Sequence, residues 1–101
     1  MGSSGYDSFD NLNDSAVFGS LSVGTSAVQV KVGGSPLANR KLVIMQPKDT
    51  GIFWGYDNTV TTSTGVEMFK DQIIPMECGP DISIWVIATG AGKSMRIQEL
   101  A

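Results

Sequence analysis

The chain contains no histidine. That absence removes the commonest general base and the commonest metal ligand together. It has one cysteine, Cys78, so it can form no disulfide with itself. A nucleophilic thiol needs a basic neighbour, and without histidine Cys78 reads as a small buried hydrophobe. Charged residues are scarce, at 17% of the 101 residues, against the usual ~25%. No apolar run reaches the ~20 residues that span a bilayer, which argues against a membrane partner. The first residues lack a basic region followed by an apolar run, which argues against a secretory leader. Basic residues do not cluster into a phosphate-binding stripe, which argues against nucleic acid.

The charge that is present lies unevenly. Residues 1–15 carry Asp7, Asp10 and Asp14 and no base, which accounts for the whole net charge of −3. Residues 16–101 hold 7 acidic and 7 basic side chains and sum to zero. The first 15 residues are otherwise rich in Gly, Ser and Asn, with Tyr6, Phe9 and Leu12 spaced along them. Apolar anchors on a polar string describe either an extended arm that folds against a partner or a loose tail. The division expected is therefore an arm over 1–15 and one β domain over 16–101.

Within that domain the most apolar stretch is Ile82 to Ala88, bounded by Gly79-Pro80-Asp81 and Gly90-Ala91-Gly92. It is too short for a typical buried helix, rich in β-branched and aromatic residues, and apolar on both parities after Ser83. It reads as the central strand of a sheet. Ala16–Val23 alternates with Val17, Leu21 and Val23 on one side, and Ala27–Val32 alternates with Val28, Val30 and Val32 facing in. Arg40–Gln46 reads as a strand covered on both sides, and Ile52–Tyr56 as a short strand in which Gly55 marks a bulge or a close approach. Val66–Phe69 and Gln72–Cys78 follow, the latter either an edge strand or bulged because of Pro75. Lys93–Leu100 closes the chain. Seven or eight short strands at intervals of ~8–12 residues predict an all-β fold, a small antiparallel β-sandwich or jelly-roll-like barrel. The expected core is Leu42, Ile44, Ile82, Ile84, Val86 and Ile97, with Trp85 buried or packed at a subunit joint.

Chemistry-bearing motifs are few. Gly90-Ala91-Gly92-Lys93-Ser94 resembles the end of a phosphate loop, but Ile87 stands where the leading glycine belongs and no helix can follow. A hairpin turn is the simpler reading. Asp57 and Asn58, with Asp49 and Glu67, lack the ordered ligand spacing of a calcium loop. Neither a catalytic set, a metal site nor a cofactor site emerges. Trp54, Tyr56 and Trp85 are core or interface anchors, or else a stacking platform for carbohydrate beside the hydroxyl-rich segment 58–65. Val60 is the apolar plug of that segment.

One further pattern covers Asn39 to Leu100. It runs Arg40-Lys41-Leu42-Val43-Ile44-Met45-Gln46, Ile52-Phe53-Trp54-Gly55-Tyr56-Asp57, Val60-Thr61-Thr62-Ser63-Thr64-Gly65-Val66, Trp85-Val86-Ile87-Ala88 and Met95-Arg96-Ile97-Gln98-Glu99-Leu100. In order and spacing this resembles the small β-sandwich structural proteins of tailed-bacteriophage virions. It departs from them at Pro75-Met76-Glu77, and residues 1–30 lie outside the likeness. The resemblance implies a non-enzymatic virion protein, one that decorates or cements the capsid by binding the major capsid protein or other virion proteins. It also implies a symmetric homo-oligomer on the particle, assembled in the host cytoplasm. A head–tail, neck or tail-fibre adaptor is the alternative within that class, and a carbohydrate- or receptor-binding module the alternative outside it. The expected contact residues are Tyr6, Phe9, Leu12, Trp54, Tyr56 and Val60.

Overall fold

The computed structural model describes residues 15–101. Eight strands are present among them: β1 Ala16–Val23, β2 Val28–Gln29, β3 Leu42–Pro47, β4 Ile52–Gly55, β5 Val66–Met68, β6 Ile74–Glu77, β7 Trp85–Ala88 and β8 Lys93–Leu100. They form two four-stranded antiparallel sheets, ordered β1-β8-β3-β6 and β2-β7-β4-β5.

The connectivity has a simple origin. The first half of the chain pairs antiparallel with the second, β1 with β8, β2 with β7, β3 with β6 and β4 with β5. Rolling that long ribbon brings β8 against β3 and β7 against β4. The result is a jelly roll. Because partners come from opposite ends of the chain, nearly every ladder is long-range, and Ser15 and Ala101 exchange backbone hydrogen bonds at 3.0 and 2.8 Å.

The core lies between the sheets. Val23, Val43, Met45, Met95 and Ile97 from the first sheet meet Ile52, Met68, Val86 and Ala88 from the second, with Val30, Cys78 and Ile84 closing the layer. Cys78 is buried, as expected of a small hydrophobe. Pro75 sits on an edge strand, opposite Ile44.

Three expectations are corrected. The inward face of β3 is Val43, Met45 and Pro47, while Leu42 and Ile44 face outward. The β8 register decides this, because Ile97 pairs with Met45 and β8 alternates sharply between buried and exposed residues. A one-residue slip would reverse both strands. Ile82 is 48% exposed and lies outside β7, whereas Ile84, Val86 and Ile97 are buried as expected. Trp85 is partly buried on the outer face. Third, Gly90–Ser94 is not a hairpin turn. It joins β7 in one sheet to β8 in the other, turning at Gly92 with φ of 75°.

A buried ion pair draws backbone groups away from the far end of the β2–β7 ladder. Glu99 follows Met95 and Ile97 on the inward face of β8 and is wholly buried. The Arg40 Nη1 donates to its Oε2 at 2.8 Å. Val32 and Leu37 N–H donate to the same carboxylate at 3.0 and 3.1 Å. Arg40 also donates to the carbonyls of Cys78, Gly79 and Ile82 at 3.3, 2.9 and 3.0 Å. The backbone around Val32 and Ile82 thus leaves the ladder to serve these charges, as buried ions require.

Candidate functional site

Tyr6, Phe9 and Leu12 lie outside the described residues. The other three expected contact residues converge at one end of the second sheet. Trp54 ends the inward parity of β4, paired with Val86 and Val66. It packs partly on the core. Tyr56, two residues on, is 62% exposed. The two rings stand edge to face, with centroids 5.1 Å apart and planes at 89°. Such a pair favours perpendicular geometry because the edge of one ring is positive and the face of the other negative.

The loop 57–65 fixes this pair in place. Val60 is 7% exposed and plugs the loop from beneath. It can do so because Gly55 and Gly65 lack side chains: a Cβ at either would stand 2.8 or 2.9 Å from Val60 Cγ2. The close approach expected at Gly55 is therefore to Val60. Thr61 and Thr64 knit the loop's far side, with Thr61 N–H donating to Thr64 Oγ1 at 3.0 Å and Thr64 and Gly65 N–H returning to Thr61. Asp57 Oδ1 accepts from both the N–H and the hydroxyl of Thr59. These bonds, the hydroxyl first, hold the Asp57 carboxyl below its ordinary range. Together the elements bound a 250 Å³ cleft lined by Trp54, Tyr56, Asp57, Thr59, Thr64 and Val66. Trp85 is not part of it, since its register with Gly55 and Gln29 places it on the outer face of the second sheet.

A second surface was not anticipated. The outward row across the first sheet is Phe18, Gln98, Ile44 and Pro75. Its neighbours are Ala16, Leu100, Leu42 and Glu77 on one side, and Ser20, Arg96 and Gln46 on the other. Phe18 is 80% exposed and Ile73 67%. A 290 Å³ groove runs between Ile44, Gln46, Ile73, Arg96 and Gln98. Among the described residues of these strands, Arg96 and Glu77 are the charges on this face. One sequence signal was available: Phe18 shares its parity with Ser20 and Ser22, where an aromatic has no core to join.

The remaining candidates dissolve. Ser94 N–H donates to Asp49 Oδ2 at 2.9 Å, which places a carboxylate where a phosphate loop would need its anion. Among the described residues, no three thiol or carboxylate groups gather to hold a metal ion. No helix there is long and apolar enough to cross a membrane. Comparison with known protein families, curated proteins and solved structures finds no match to the chain.

Proposed function

We propose that this protein is a non-enzymatic structural component of a tailed-phage virion that decorates the capsid by docking the outer face of its first sheet on the major capsid protein. The observation that carries this reading is the composition of that face, four strands wide with an exposed phenylalanine and isoleucine and almost no charge. Large exposed apolar residues surrounded by uncharged polar ones mark protein contact surfaces. Burying Phe18 and Ile73 contributes ~1.5–3 kcal/mol each, modest for one copy and sufficient when many copies bind a symmetric lattice. The virion is the expected location. The jelly roll is an architecture that viral capsid domains use, which supports the reading by analogy only, since folds are shared among functions.

The test uses particles lacking the protein. Phe18→Asp and Ile73→Asp place charges on the outer face at its two large exposed apolar side chains without touching the core. Each variant is expected to fold with unchanged thermal stability and to show strongly reduced particle occupancy. Undiminished occupancy of both would overturn the assignment of this face. Gold-labelled protein found at the neck or tail instead of the capsid would replace decoration with the adaptor role.

A further inference from the structure

We propose that the cleft between Trp54, Tyr56 and the 57–65 loop is a binding site for a single neutral pyranose ring. This activity is independent of the docking face, which lies on the other sheet. A pyranose is amphipathic: one face presents C–H groups and the rim presents hydroxyls. The cleft has both counterparts. Tyr56, largely exposed, offers an aromatic face, and Trp54 stands perpendicular to it at 5.1 Å, so the two rings form a corner. A flat stack on one ring leaves the sugar's edge against the other.

The rim is equally specific. Asp57 is adjacent in sequence to Tyr56, and its Oδ1 is already taken by the two Thr59 donors. The lone pairs of Oδ2 are left for the hydroxyl groups of a ligand, and a carboxylate accepts from these more strongly than a neutral group does. Thr59 and Thr64 supply the remaining polar lining. No lysine or arginine lines the cleft, and Asp57 repels anions. Phosphates, sulfated sugars and uronic acids are therefore excluded as ligands. The volume of 250 Å³ lies below the ~300–1,000 Å³ of sites for drug-sized molecules, which fits one ring, with any attached chain projecting into solvent.

The loop is also built in advance of binding. Nine residues bury one apolar side chain, Val60, yet Thr61 alone engages Ser63, Thr64 and Gly65 through its hydroxyl and carbonyl. A rigid rim loses little entropy when a ligand arrives, which matters most for weak ligands.

The experiment is a two-dimensional amide NMR titration of the full chain with methyl glucoside, methyl galactoside and methyl mannoside. The expected result is saturable shifts at millimolar sugar, confined to residues 54–66. Tyr56→Ala should weaken binding about tenfold or more, the effect of losing one central anchor. Asp57→Asn should weaken it while leaving the spectrum of the core unchanged. Three outcomes would overturn the proposal. One is no saturable shift with any of the three glycosides. Another is the same shifts with cyclohexanol, which would make the cleft a nonspecific apolar contact. Loss of binding on Trp85→Ala with Tyr56→Ala unaffected would also overturn it, by moving the site to the outer face of the sheet.

Discussion

Removing the Arg40 guanidinium should strongly destabilise this domain. In Arg40→Met the Glu99 carboxylate stays wholly buried and keeps only the Val32 and Leu37 N–H donors. The carbonyls of Cys78, Gly79 and Ile82 lose their donor as well. Breaking a buried pair from one side costs about 3–5 kcal/mol. A chain of this size has ~5–15 kcal/mol in all. At ~4–8 °C per kcal/mol the melting temperature should fall by roughly 12 °C at the least. The informative comparison is the double variant Arg40→Met with Glu99→Leu. Replacing a buried pair by apolar residues is often harmless. Here it should not be, because the pair also satisfies five backbone groups, two N–H and three C=O. Each stranded group costs about 1–3 kcal/mol where water cannot replace the partner. The double variant is therefore expected to remain at least about 2 kcal/mol below wild type. The assay is urea unfolding followed by tryptophan fluorescence, with hydrogen exchange at the Val32 and Leu37 amides. Restoration of wild-type stability in the double variant would refute the reasoning, since the charges would then serve only to neutralise each other.

Other predictions are simpler. Ile84→Ala removes a fully buried side chain from between the sheets and should cost about 2–5 kcal/mol in urea unfolding; an unchanged midpoint would contradict its place in the core. Gly55→Ala drives a methyl to 2.8 Å from Val60 Cγ2 and should cost about 1–3 kcal/mol, with Val60→Ala restoring part of the loss if that contact is the cause. Asp71 is hydrogen-bonded by Lys48 Nζ at 2.7 Å, and that bond lowers its carboxyl below the ordinary 3.8. A depressed carboxyl contributes stability above its unfolded value that disappears as pH falls through the folded value. Carbon-detected titration should therefore place the Asp71 midpoint below 3.8 and return it toward that value in Lys48→Ala. Deleting residues 2–14 spares the Ser15–Ala101 bonds and should leave the domain folded; under the proposed virion role it should also weaken attachment to particles, measured by occupancy. Full occupancy would reduce the segment to a tail.

Local sequence determined the strands themselves, because alternation, glycine and proline act over a few residues. β1, β5, β6 and β8 were legible in this way, with an edge strand among the readings open at Pro75. The convergence of Trp54, Tyr56 and Val60 was also within reach, since all three lie within seven positions of one another. What tertiary structure alone decided were the features that depend on partners distant in the chain. Apolar side chains on both parities of β3 cannot say which face is inward; pairing with β8, some fifty residues away, chose Val43 and Met45. Arg40 opens one strand pattern and Glu99 nearly closes another, with nothing in either stretch to say that the two meet. Only the roll that lays β8 beside β3 brings them within 2.8 Å. Serving those two charges takes the Val32 N–H and the Ile82 carbonyl out of the β2–β7 ladder, which still bonds Val30 N–H to the Ile84 carbonyl. Periodicity carries information about faces and lengths, whereas buried charge is neutralised by whatever the fold places beside it.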